Sequence, residues 1–88
     1  MRLDQFLQRT GIVKRRTLAK ELCDRGAVEI NGKTAKAAHI VSPKDTLTVR
    51  FHDRRRSYIV LEIPQGNIRK EDRGEFTSLI SEQLFHER

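Results

Sequence analysis

With 88 residues, the chain has room for one domain and a thin core, and an enclosed active-site cavity would compete with that core for apolar side chains. Hydrophobic residues make up 36% and charged residues 34%, and 18 Lys and Arg against 12 Asp and Glu leave a net charge of +6, which points to a polyanionic partner. The single cysteine, Cys23, excludes an internal disulfide framework and suits a reducing cytoplasm, and no apolar run approaches the length of a membrane span.

Leu3, Phe6 and Leu7 recur at helical spacing, Thr10 continues the row and Gly11 stops it, which predicts a first helix of about two turns. The opening Met-Arg-Leu-Asp thus enters an amphipathic pattern rather than the apolar run of a secretory signal. Asp4 falls in the first turn, where a carboxylate suits the positive end of the helix dipole. Ile12 and Val13 lead to a second helix that starts near Arg15 or Arg16. Leu18, Ala19, Leu22 and Cys23 form its apolar stripe and Gly26 its stop. Two short helices on a tight connection predict a helix hairpin.

The period then changes. Val28 and Ile30 alternate with Glu29 and run into Asn31-Gly32, a strong hairpin signal. A return strand is expected over residues 34–41 through Ala35, Ala37 and a buried Ile40, followed by a turn at Pro43-Lys44-Asp45. Leu47, Val49 and Phe51 alternate with Thr46, Thr48 and Arg50 as a half-buried strand. His52 to Ser57 reads as a charged tip holding Arg54-Arg55-Arg56, and Tyr58 to Ile63 as a strand that pairs back. Pro64, Gly66 and Asn67 end it. After a polar stretch, Phe76, Leu79, Ile80 and Leu84 mark one face of a closing helix.

The positive charge is unevenly placed. Residues 1–56 hold 14 basic and 6 acidic side chains, and residues 57–88 hold 4 and 6, so the binding surface is expected in the first two-thirds. Lys14, Arg15 and Arg16, with Lys20 one turn on, cluster four cations at the start of the second helix. Backbone N–H groups there lack intrahelical partners and can meet phosphate oxygens. The same cations oppose the helix dipole, a local penalty that makes sense beside an anion; the bland reading is that they solvate an exposed helix end. Lys33 and Lys36 follow the Asn31-Gly32 turn and either extend the positive surface or guard a sheet edge. For Arg54, Arg55 and Arg56, binding and simple solubility are equally open.

Catalysis finds no comparable support. His39, His52 and His86 do not form metal-ligand spacing with one another or with Cys23, and there is no phosphate-cradling glycine loop or nucleophile elbow. Cys23 sits on an apolar stripe, as a small core residue does. Phe6, Phe51 and Phe76 fit core positions, which leaves Tyr58 and Phe85 as the exposed aromatic residues and predicts no aromatic stacking sheet.

Three stretches taken together, Arg2-Leu3-Asp4, Gly11 to Ala19 and Gly26 to Lys33, with Val41, Pro43-Lys44-Asp45, Leu47 and Val49 continuing the spacing, resemble the S-four RNA-binding domain over roughly residues 1–51. That resemblance implies a helix pair on a small β-layer with RNA along the helix-pair face. Arg2 and Arg16 match the family's basic contact positions, and Lys14, Lys20 and Lys33 neighbouring ones. Asp4 matches an acidic position that orients an arginine. Two departures stand out: Arg15 replaces a serine before the motif arginine, and Lys44-Asp45 replaces a Gly-Asp turn. Because a left-handed backbone is costly for lysine, a different turn type is expected at Lys44. The stand-alone length, the opening residues and Leu47 to Phe51 look like the RqcP-type bacterial ribosome quality-control factors. This implies binding to ribosomal RNA and tRNA on a large subunit carrying a stalled chain, while a partner protein adds alanine tails.

The expected architecture is therefore α+β, with an S-four-like unit at residues 1–63 built from a two-helix hairpin on a small, mostly antiparallel sheet. Residues 64–88 form a linker and a closing helix. The expected function is a monomeric, non-enzymatic cytoplasmic RNA-binding factor with no cofactor and no metal. Its site is Arg2, Lys14, Arg15, Arg16, Lys20, Lys33 and Lys36, with Asp4 orienting. Three alternatives remain: a heat-shock-type S-four protein on obstructed large subunits, a regulator of an RNA-acting enzyme, and a protein adaptor using the closing helix. An exposed Phe76-Leu79-Ile80 stripe would favour the adaptor.

Overall fold

The computed structural model describes residues 1–66 and 68–85; the expectations for Asn67 and His86 lie outside them. Two helices, α1 (Leu3–Arg9) and α2 (Arg16–Asp24), precede five strands: β1 (Val28–Ile30), β2 (Lys33–Thr34), β3 (Thr46–Arg50), β4 (Arg54–Val60) and β5 (Thr77–Leu84). A short 3-10 helix, Lys70–Glu75, leads into β5. The sheet order is β2-β1-β3-β4-β5, antiparallel throughout.

The helix ends follow from local chemistry. α1 buries Leu3, Phe6 and Leu7 completely, and Thr10 Oγ1 donates to the Phe6 carbonyl at 2.8 Å before Gly11 turns the chain at φ +79°. α2 ends in a Schellman motif: Gly26 N–H donates to Cys23 O at 3.0 Å and Ala27 N–H to Leu22 O at 2.9 Å, with Gly26 at φ +74°. Ala19, Leu22 and Cys23 form the buried stripe, whereas Leu18 is exposed. The helices pack on Val28, Ile30, Leu47, Val49 and Val60 of the sheet in one core.

Asn31 and Gly32 both take positive φ, 52° and 83°, as a type I′ hairpin requires. The return strand is shorter than the sequence suggests. β2 stops at Thr34 because the following segment spends its carbonyls elsewhere: His39 O accepts from Leu3 N–H at 2.8 Å and Ala37 O from Asp4 N–H at 3.2 Å. Residues 35–41 thus cross beneath the start of α1, burying Ala35, Ala37 and Val41 and turning Ile40 outward at 61% exposure, against the expectation of burial.

Lys44 does adopt the left-handed conformation, φ 75°, where a different turn was expected. Its surroundings force it. Lys44 N–H donates to Val60 O at 2.7 Å, and the Asp45 carboxylate accepts from Ser42 N–H and from Asn31 Nδ2 at 2.9 and 3.1 Å.

Two larger corrections concern the second half. Phe51 N–H donates to Arg54 O at 2.7 Å, so the tip shrinks to His52-Asp53, and Arg54, Arg55 and Arg56 belong to β4 rather than to a loop. The closing element is a strand, not a helix: β5 pairs with β4 from Val60↔Thr77 to Arg54↔Leu84. A bulge explains the misleading spacing. Ser57 faces Ser81 and Tyr58 faces Leu79, leaving Ile80 as the extra residue. Leu79 and Leu84, five apart, thereby share a face. Tyr58 is buried rather than exposed, and Phe51 and Phe76 are only half-buried.

Candidate nucleic-acid interface

The site is organised around one carboxylate. Asp4, in the first turn of α1, is almost fully buried, its side chain 4% exposed. Its Oδ1 accepts from Arg2 Nε at 3.1 Å and from Gln5 N–H at 2.9 Å, while Oδ2 accepts from Arg16 Nε at 3.3 Å. Burial alone would push the carboxyl up, but the hydrogen bonds from Arg2, Arg16 and Gln5 N–H outweigh it and hold Asp4 below the usual carboxylate range. One buried anion therefore joins the residue before α1 to the first residue of α2, its contact with Arg16 spanning 12 positions of sequence.

The arginines remain half-exposed, at 44% and 50%. Both use Nε towards Asp4; Arg2 adds a marginal Nη2 contact at 3.5 Å. Half-exposed and anchored to Asp4, the two guanidiniums retain N–H groups that suit phosphate or base edges. The pairing also shows how α2 tolerates a cation in its first turn. α2 has no acidic residue there, and α1 supplies the missing negative charge through Asp4.

Arg2, Asp4, Arg16, Thr17 and Lys20 line a cleft of about 310 Å³. A second groove, of about 530 Å³, continues from Arg2 and Lys20 along Cys23, Gly26 and the run Thr34–Ala38, which brings in Lys36. Lys20 also pairs with Asp24 at 3.9 Å. Lys14 and Arg15 are exposed ahead of α2, and Lys33 is exposed on the edge strand; none of the three lines either groove. The expected residues thus divide into a clustered set, Arg2, Arg16, Lys20 and Lys36 with Asp4, and three flanking cations.

Thr17 and the groove floor of Ala35, Ala37 and Ala38 escaped the sequence reading. The run of small residues after the hairpin was the available signal. Cys23 lies under this groove, 4% exposed, its thiol pushed up to about 11 by burial and then by the charges of Asp4 and Asp24. It stays protonated at neutral pH. Among the described residues no three His, Cys, Asp or Glu side chains are placed to hold a metal ion, and no helix is long and apolar enough to cross a membrane.

Comparison with known proteins places this geometry. The S4 domain family model matches residues 1–47, the span holding the Asp4 cluster and both grooves. The RQC P-site tRNA stabilizing factor of Bacillus subtilis is 44% identical over 96% of this chain and 98% of its own length. The factor of the same name from Helicobacter pylori strain 26695 is 45% identical over 73% and 76%. The trimeric structure of Vibrio cholerae heat shock protein 15 superposes with a TM-score of 0.82 at 26% identity, covering 92% of this chain and 82% of that one. The chain belongs to the S4 domain family, and within it to the family of the RQC P-site tRNA stabilizing factors.

Proposed function

We propose that this chain is a non-enzymatic RNA-binding factor that holds ribosomal RNA and P-site tRNA on the large ribosomal subunit while a stalled nascent chain receives its tail. The observation that carries the reading is the Asp4 bridge: a buried carboxylate aims two half-exposed arginines out of one cleft. Arg2 and Arg16 grip phosphates and base edges, Lys20 and Lys36 extend the grip along the groove, and Lys14, Arg15 and Lys33 add salt-dependent attraction. No covalent step is needed. Holding tRNA between rounds of elongation is positional work, and a protonated, buried Cys23 offers no nucleophile.

The names of the relatives support the ribosomal setting, as does the excess of positive charge. In this reading the factor acts in the cytoplasm as a monomer without a cofactor. Residues 1–63 carry the RNA contacts, and residues 64–88 extend the same unit. The adaptor reading keeps one observation in its favour, the exposure of Leu79 and Ile80, now on a strand edge.

Co-sedimentation with large subunits carrying a P-site tRNA tests the proposal. Arg2→Ala and Arg16→Ala should each shift the protein to the supernatant while circular dichroism stays unchanged. Undiminished pelleting of both folded variants would sink the assigned site.

A further inference from the structure

The helix pair covers one face of the sheet, and the other face carries a second charged feature. Alternation from buried Val49 places Arg50 on that open face, and alternation from buried Tyr58 and Val60 places Arg55 and Ser57 there. Arg50 and Arg55 are directly opposite each other in the β3–β4 register, and Gln83 is opposite Arg55 on β5. The next row along the same face is Thr48, Ser57 and Ser81, with the Thr48 and Ser57 hydroxyls 3.0 Å apart.

Like charges directly opposite on neighbouring strands repel and weaken the pairing. Guarding a sheet edge does not explain them, because β3 and β4 are interior strands. The arginines on either side of Arg55 are answered from within the chain: Arg54 pairs with Asp53 at 3.6 Å and lies over the Phe51 ring, and Arg56 pairs with Glu82. Among the described residues Arg50 and Arg55 meet no carboxylate; Glu29, the acidic residue on this face of the strands, stands on β1 opposite Thr48. Arg50 instead lies over the Phe85 ring, 5.4 Å from its centre. The ring steadies the guanidinium, and a cation held over a ring can still donate its N–H groups to a phosphate.

An arginine pair that meets no carboxylate among the described residues, steadied by an aromatic ring and flanked by hydroxyl and amide groups, has the chemistry of a phosphate-backbone contact. We propose that the open sheet face around Arg50 and Arg55 is a second RNA-contact surface. It takes the phosphodiester backbone of a segment separate from the one held by Arg2 and Arg16, so that one molecule bridges two RNA segments. The inference rests on the RNA-binding reading above and deepens it, giving a factor placed between ribosomal RNA and tRNA a hold for each.

The full chain titrated with a short RNA hairpin at low salt, with complexes sized by sedimentation velocity, tests this. The wild-type protein should take up two hairpins. Arg50→Gln/Arg55→Gln keeps a polar, hydrogen-bonding side chain at each position and removes the charge repulsion; it should keep its melting temperature, bind one hairpin, and weaken the second uptake by about tenfold or more. Arg2→Ala/Arg16→Ala should also bind one. Single-hairpin complexes with the wild type, or two-hairpin complexes that persist in the folded Arg50/Arg55 variant, would overturn the second surface and leave the Arg2–Arg16 reading standing. No hairpin bound by any form would reject both.

Discussion

At the scale of single residues, Asp4 decides the most. Its depressed pKa means that the folded state favours the ionised carboxylate. The stabilisation it contributes is present above the ordinary carboxylate pKa of about 4 and is lost as pH falls through the lower folded value. Asp4→Asn removes the charge while keeping the size; it should cost on the order of 1 to 3 kcal/mol in urea unfolding at neutral pH and flatten the acid limb of the stability–pH curve. The substitution should also weaken RNA binding, because the arginines lose their common anchor. A variant that lost stability but bound RNA at wild-type affinity would show that the anchor does not orient them. Cys23 makes the opposite kind of prediction. With its thiol near 11, alkylation of the folded protein at pH 7 should be far slower than that of a free cysteine, and Cys23→Ser should leave RNA affinity alone. The burial of Cys23 was legible from its place on the apolar stripe; the double use of Asp4, and its charge acting on the thiol, were not legible from spacing, since both depend on how α1 lies across α2.

The elements divide by whether local chemistry or pairing decided them. α1, α2 and the Asn31-Gly32 hairpin were legible because their signals are local: apolar residues at helical spacing, glycines at positive φ, and a type I′ pair. β5 was not. Phe76, Leu79, Ile80 and Leu84 fit a helical stripe, and the bulge at Ile80 that produces this spacing in a strand leaves no mark in the sequence. What overrode the pattern is tertiary: β4 exposes a full row of backbone donors and acceptors that β5 satisfies. β2 is the converse case, a strand cut short because α1's first N–H groups claimed the carbonyls of Ala37 and His39. Substitutions at Ser81, opposite Ser57 in the register, separate strand from helix. Ser81→Val should leave the protein more stable than Ser81→Ala by up to about 1 kcal/mol on a strand, whereas a helix would reverse the order. Chemical denaturation of the two variants reads the sign directly.

Across the whole molecule, charge and fold agree more closely than either half of the sequence suggests. The clustered cations all come from residues 2–36, so the expectation of a site in the first two-thirds follows the charge surplus there. The acidic tail has a part of its own: folded back as β5, it brings Glu82 to Arg56 and Phe85 to Arg50, muting one arginine and steadying another. A long-range consequence follows for salt dependence. Each phosphate that a cation neutralises adds about 0.7 to 0.9 to the slope of log affinity against log salt. Removing Arg2 and Arg16 together should therefore lower that slope by about 1.4 to 1.8 for an RNA hairpin, and removing exposed Lys70, in the 3-10 helix and lining neither groove, should leave it unchanged. Net charge falls by one with Lys70→Ala and by two with the double variant, so a simple charge effect predicts slopes in proportion to charge lost. A site effect predicts a change confined to the cleft. Equal slope losses per charge removed would mean that the surplus acts as a diffuse field, and that the cleft built on Asp4 confers no special hold.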